Sequence, residues 1–387
     1  MVSAVICEYN PFHNGHKYQL ECMKKENDAV ICIMSGDFVQ RGDVAVFDKF
    51  IRARAALLSG ADLVVMLPVC YSLSSAELFA TGGVRLCDSL GIVDRLYFGS
   101  ECGDINKLYA AARLLSDESY EISEKLKLLL KNGMSYPSAK SAAYEGKIDG
   151  DILTEPNNIL AVEYIKALIM LNSKIQPITL KRHMAEHHDN VPKGDIASAS
   201  YVRSRINNKY SYSEYVPQGA FELYKNKTVS KLSELDSVLS YVIRTKSQEA
   251  IGAVNDVGEG LENRIKSAVT SCYGFYNISE YIKTKRYTLT RIKRILLNVL
   301  LDIDKKTPKS APEYIRVLGM NSKGAELLSL IKRTSPLPII TKTADFKGFN
   351  KAFEYDILAG DLYTICSKNP CFGKDYITSP VIINRQL

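Results

Sequence analysis

A chain of 387 residues with 46% hydrophobic and 24% charged side chains has the composition of an ordinary globular protein, and length enough for two domains with separate cores. No basic segment precedes the apolar start and no run reaches membrane-spanning length, so neither a secretory leader nor a membrane span is expected and the cytoplasm is the default compartment. Nine scattered cysteines without a C-x-x-C pair exclude a disulfide framework or a cysteine zinc site as the organising feature. The net charge of +7 is uneven: residues 1–110 carry 10 basic and 13 acidic side chains, and residues 111–387 carry 40 and 30. A basic second part suits a polyanionic partner.

Val2 to Cys7 is predicted to be a buried strand, Asn10-Pro11 a turn, and Asn14 onward a helix. The helix start presents unpaired N–H groups and a positive dipole end, and Gly15 lets an anion approach the backbone closely. His13 and His16, three residues apart, add two donors beside the same anion. Such an H-x-G-H turn suits a site that binds a nucleotide triphosphate and stabilises the charge developing as its α-phosphate is attacked. A zinc site is the weaker reading, because the helical pattern H-E-x-x-H is absent.

Further strands are predicted at Ala29 to Met34, Leu63 to Leu67 and Arg95 to Phe98, with helices over Phe47 to Ser59 and Ser74 to Leu90. The connection Ser35 to Asp43 reads as a polar loop carrying Asp37, Gln40 and Arg41 between two glycines. Strands alternating with helices predict a doubly wound parallel sheet with its ligand beyond the carboxyl ends of the strands. Residues 105–171 read as helical, with breaks at Gly133, Pro137, Gly146 and Pro156; Asn157 and Asn158 suit a helix cap.

Ile175 to Leu180 is a further predicted strand. After it come Lys181-Arg182-His183 and His187-His188-Asp189, and then Ile196 to Arg203 opens a helix whose Ser198, Ser200 and Arg203 form a second anion clamp. From about residue 211 the pattern is mainly helical. The densest basic run, Lys283 to Arg294, holds Lys283, Lys285, Arg286, Arg291 and Arg294 around Tyr287 and suits contacts to a nucleic-acid backbone; Thr288 or Thr290 can cap the helix that follows.

The H-x-G-H turn and the S-x-S-x-x-R helix start resemble the nucleotidyltransferase-like superfamily that includes pantetheine-phosphate adenylyltransferase and class I aminoacyl-tRNA synthetases. More narrowly, Glu8-Tyr9-Asn10-Pro11-Phe12-His13-Asn14-Gly15-His16, Met34 to Gly42, Phe98-Gly99-Ser100-Glu101, Pro156-Asn157-Asn158-Ile159-Leu160, Ala197-Ser198-Ala199-Ser200 and Lys283-Thr284-Lys285-Arg286-Tyr287-Thr288 resemble the bacterial tRNA(Met) cytidine acetate ligase family, and the likeness runs on through Arg316-Val317-Leu318-Gly319 to Asp375-Tyr376. The resemblance implies a Rossmann-like α/β domain with a parallel sheet over residues 1–210 and a mainly helical, tRNA-binding domain over 211–387. It implies an enzyme that forms acetyl-adenylate from acetate and ATP, with Mg²⁺, and acetylates N4 of the wobble cytidine of elongator tRNA(Met); no membrane or DNA partner is implied.

By the same resemblance Ile6, Cys7, Glu8, Tyr9, Asn10, Pro11, Phe12, His13, Asn14, Gly15, His16, Lys17, Tyr18 and Gln19, together with Gly99, Asn157 and Arg182, form the ATP pocket. Asp37 departs from the asparagine expected there, a change tolerable beside a catalytic Mg²⁺. The residues fit this chemistry independently. Acyl-adenylate formation needs no covalent enzyme nucleophile, and no nucleophile elbow or triad signature is present; it needs the positioning and charge stabilisation that His13, His16, Ser198, Ser200 and Arg203 supply. Two other readings stay open: a small-molecule adenylyl- or cytidylyltransferase, and a non-catalytic RNA-binding protein on the same fold.

Overall fold

The computed structural model describes all residues except 118, 183–191, 193, 259, 349, 368–369 and 385–387. The expectations placed on His183, His187, His188 and Asp189 lie outside the described residues.

Six apolar residues followed by a serine, Ala29–Ser35, form a strand buried along its whole length, as a parallel strand covered on both faces must be. This strand, β2, pairs in parallel with β1 (Val2–Cys7). The short strands β3 (Phe38–Val39) and β4 (Asp43–Val44) form a separate antiparallel hairpin, and β5 (Leu63–Leu67), β6 (Arg95–Ser100) and β7 (Gln176–Lys181) complete the first half of the chain. Here β5 extends the sheet beside β2, while β6 and β7 extend it beyond β1. The chain therefore leaves β1 in one direction and returns on its other side, which opens a crevice above the carboxyl ends of β1 and β6.

Two expectations are corrected. The polar connection after β2 is not simply a loop, because Phe38 and Val39 pair with Val44 and Asp43 and bury their side chains. The sheet also does not end with the first 210 residues. Strands β8 (Ile315–Asn321), β9 (Ile339–Ile340) and β10 (Val381–Ile383) cross the expected domain boundary, with β8 antiparallel to β5 and β9 and β10 parallel to β8. The remainder of the second part is helical, including Asp236–Thr245, Leu261–Ser271, Phe275–Ile282 and Leu289–Leu301.

A buried charge network sits where the returning chain meets the first half. Lys49 pairs with both Asp37 and Asp375, and Arg316 on β8 pairs with Asp375 at 2.9 Å, all four side chains being almost wholly buried. Two cations facing two carboxylates leave no net buried charge, the condition under which such a cluster is tolerable. Asp37 thus serves this junction. It receives the Lys49 backbone N–H at 2.8 Å as well as the ammonium, and it does not line the cavity described below.

Candidate active site

The turn after β1 is locked from several sides. Tyr9 adopts a left-handed backbone (φ 48°) that a tyrosine holds only under constraint, and its buried ring packs edge-on against Phe12 and against His16. The Arg52 guanidinium, fully buried, donates to the carbonyls of Phe47, Glu8, Ser35 and Gly36, so one side chain ties the end of β1 to the end of β2. No motif announced Arg52, because its partners are backbone atoms that the fold alone assembles.

The helix Asn14–Glu26 begins with a capping box made of imidazoles. His13 Nδ1 accepts from Gly15 N–H at 3.1 Å, His16 Nδ1 accepts from His13 N–H at 3.3 Å, and the rings stack with centroids 3.7 Å apart. A Cβ on Gly15 would lie 2.9 Å from His13 Cε1, so the glycine makes room for this ring. With both Nδ1 atoms accepting, each neutral ring carries its proton on Nε2 and has that N–H left to donate. Burial, with Arg182 and Arg203 nearby, lowers His13 to about 3. Burial, then His13 and Arg182, take His16 well below its ordinary value. Two neutral hydrogen-bond donors therefore stand at the helix start.

The second predicted anion clamp faces them. Ser198 caps the helix Ala199–Asn207 by accepting from Tyr201 N–H at 3.1 Å. Arg203 donates to Ser200 Oγ at 3.0 Å and to the Asn10 carbonyl at 2.6 Å, which binds this helix to the first turn. Asn14 adds a second tie, donating to the carbonyls of Asp195 and Glu214, both at 2.9 Å. His13, His16, Ser198, Ser200 and Arg203 all line one cavity of about 1930 Å³.

The crevice wall at the end of β6 is built around Glu101. Its carboxylate accepts from the backbone N–H groups of Asn157 and Asn158 and from the Asn157 side chain, capping the helix Pro156–Met170. Asn158 Oδ1 accepts in turn from the N–H groups of Glu101 and Cys102, at 3.0 and 3.1 Å. Arg182 Nη1 donates to Asn157 Oδ1 at 3.4 Å, and its side chain lies against Gly99, where a Cβ would come within 3.2 Å.

Residues 1–375 match the family model described as HIGH Nucleotidyl Transferase. The chain is 42% identical over 395 residues to the tRNA(Met) cytidine acetate ligase of Thermoanaerobacter sp. (strain X514), spanning 97% of this chain and 98% of that protein. The Acetivibrio thermocellus protein of the same name is 40% identical over 96% of this chain and 97% of its own. It belongs to the tRNA(Met) cytidine acetate ligase family. Crystal structures of Thermotoga maritima TmcAL are also similar, with each comparison covering 99% of both chains: the apo form has a TM-score of 0.91 at 31% identity, and the form bound with alpha-thio ATP 0.89 at 30%.

Within this ligase-family site, the residues expected at the nucleotide divide by position. Ile6, Cys7, Glu8, Tyr9, Asn10, Gln19, Gly99, Asn157 and Arg182 line the cavity with the two histidines, whereas Pro11, Phe12, Asn14, Gly15, Lys17 and Tyr18 do not. Phe12 is core, Asn14 is a staple, and Lys17 and Tyr18 are exposed. Burial pushes the Glu8 carboxyl up against the opposing pull of Arg203, Arg41 and Arg52, and its Oε1 accepts from Gln40 N–H at 2.6 Å.

The basic run also divides. Lys283 and Lys285 are exposed, with Lys283 within 3.3 Å of Glu280. Arg286, Arg291 and Arg294 instead line the far wall of the cavity. Thr288 caps the helix Leu289–Leu301. Arg291 clamps Asp256 through Nε and Nη2, the shortest contact being 2.8 Å. Arg294 is buried, donates to the Gln40 carbonyl at 3.2 Å, and is lowered by burial to about 10, so it stays charged at neutral pH. Gly42, with φ +70°, packs on this helix so closely that a Cβ would lie 2.6 Å from Arg294 N. That contact brings the β3–β4 hairpin and the C-terminal helical region together as one wall.

Proposed function

We propose that this chain activates acetate with ATP and transfers the acetyl group to N4 of the wobble cytidine of elongator tRNA(Met). The observation that carries the reading is the shared cavity: two helix starts, one with paired imidazoles and one with serines and an arginine, face a single space and are joined by Arg203 on the Asn10 carbonyl. An acetate oxygen attacks the α-phosphorus of ATP, the bond to pyrophosphate breaks, and acetyl-adenylate forms. The His13 and His16 Nε2–H groups and the Arg203 guanidinium donate to the oxygens that gain charge in that step. Because the imidazoles are already neutral and oriented, they need no change of protonation to do so.

In the second half-reaction the cytosine N4 attacks the acetyl carbonyl, AMP leaves with the electron pair of the broken C–O bond, and N4 loses a proton. A cavity of about 1930 Å³ exceeds the roughly 300–1,000 Å³ usual for a small-molecule site, which supports a nucleic-acid nucleotide as second substrate. Mg²⁺ is assigned to the ATP substrate, since among the described residues no group of three His, Cys, Asp or Glu side chains is placed to hold a metal ion. No described helix is long and apolar enough to cross a membrane. The residue assignments proposed are His13, His16, Ser198, Ser200 and Arg203 for activation, the cavity residues of the first turn with Gly99, Asn157 and Arg182 for ATP, and Lys283, Lys285 and Arg286 for tRNA. The test is incubation with ATP, labelled acetate and total bacterial tRNA: label is expected in N4-acetylcytidine, and label confined to other products would refute the assignment.

A further inference from the structure

Beside the main cavity lies a second, smaller one of about 310 Å³, lined by Asp236, Tyr273, Gly274, Phe275 and Tyr276 and joined to the first by Asp43 and Lys293, which line both. At about 310 Å³ it has room for a nucleobase. Tyr273 and Tyr276 are 60% and 64% exposed, unusual for two large rings in one pocket, and Ser237 fixes the edge of Tyr273 through a 2.8 Å hydrogen bond to its hydroxyl. Asp236 spends one carboxylate oxygen on the Phe275 N–H, and its other oxygen lies against Gly274 with no hydrogen-bond partner among the described residues. An aromatic wall with a free acceptor at its base suits stacking and edge recognition of an unpaired base.

The lip between the two cavities holds one carboxylate, Asp43, and one ammonium, Lys293. Lys293 has no ion-pair or hydrogen-bond partner among the described residues, and the adjacent Arg294 is buried with its Nε unpartnered. We propose that the side pocket receives the base next to the acylated cytosine on the RNA strand, with Lys293 at the phosphodiester joining the two. This rests on the ligase reading and deepens it, because two consecutive nucleotides would occupy the two connected cavities. The pocket would then present the cytosine by splaying its neighbour away.

The test uses an anticodon stem-loop RNA carrying 2-aminopurine on the 5′ or the 3′ side of the target cytosine. Quenching on binding is expected at one of these positions for the wild-type protein and for Tyr273→Phe/Tyr276→Phe, which keeps both rings. In Tyr273→Ala/Tyr276→Ala the quenching is expected to vanish and Kd for the stem-loop to rise on the order of ten-fold, with acetate-dependent ATP–pyrophosphate exchange unchanged. Acetylation by wild type without quenching at either position would overturn the pocket assignment alone. Loss of exchange in the alanine variant would overturn it too, by showing that the tyrosines support the activating site. Absence of both stem-loop binding and acetylation in wild type would overturn it together with the functional reading.

Discussion

The two walls of the cavity are built on opposite principles. On the N-terminal wall the functional groups are satisfied by backbone: His13 and His16 cap their own helix, and the buried Arg52 spends its guanidinium on carbonyls. On the C-terminal wall Lys293 is unpaired among the described residues and Arg294 keeps an unpartnered Nε, while Lys285 is exposed outside the cavity. Under the proposed function the first arrangement would suit a small anion whose geometry changes during reaction, and the second a large polyanion that arrives from solvent.

The contrast can be broken most severely at the imidazoles. His16→Ala should reduce acetate-dependent ATP–pyrophosphate exchange by about 10²–10³-fold while the protein stays folded, since the lost capping bond costs only about 1 kcal/mol. Steady-state exchange read beside a urea unfolding curve checks both parts, and normal exchange would count against the assignment. Arg203→Lys should lower exchange by about ten- to a hundred-fold, because a single ammonium nitrogen cannot occupy both positions that Nη1 and Nη2 take against the Asn10 carbonyl and Ser200. A full rescue by lysine would show that charge alone matters at this position.

Smaller effects on exchange sharpen the comparison. Asp37→Asn should cost about 3 kcal/mol of stability and leave exchange per folded molecule unchanged, because it leaves Lys49 and Arg316 buried against the single carboxylate of Asp375. A urea midpoint that moves without a change of slope is the expected readout. Lys283→Ala/Lys285→Ala should weaken tRNA binding a few-fold and reduce the slope of log affinity against log salt, with exchange unaffected. An unchanged slope would place the tRNA elsewhere.

Near neutral pH the expected effect is smallest, and it concerns pH dependence. With His13 lowered to about 3 from an ordinary 6.5, the folded protein holds a neutral ring where the unfolded chain binds a proton. Its stabilising contribution is therefore complete above about pH 6.5 and is lost as pH falls toward 3. Between pH 6.5 and 8 neither histidine of the turn should titrate in the free protein, which ¹⁵N spectra of the imidazoles can verify through the Nε2–H tautomer.

Local pattern carried much of this protein. The strand Leu63–Leu67 was legible residue for residue, because a short apolar run stopped by Pro68 leaves little choice. Ser198 and Thr288 were readable as caps for the same local reason: a hydroxyl one step before a helix start finds the free N–H groups wherever the helix docks. The H-x-G-H turn and the S-x-S-x-x-R stretch were each visible as helix starts.

What no local pattern contains is which distant backbone meets which. Arg316 and Asp375 are 59 residues apart and meet only when β8 folds back beside β5 and buries them with Lys49 and Asp37. Arg291 and Arg294 read as outward-facing contacts until the hairpin at Gly42 closes on their helix and turns them toward the cavity. The chain alone determined the strands β1, β2, β5, β6 and β7 and the two helix starts at His13 and Ser198, all governed by neighbours a few residues away. Only tertiary structure decided that those helix starts share one space, because charge pairing and burial depend on separations of tens to hundreds of residues that sequence spacing does not encode.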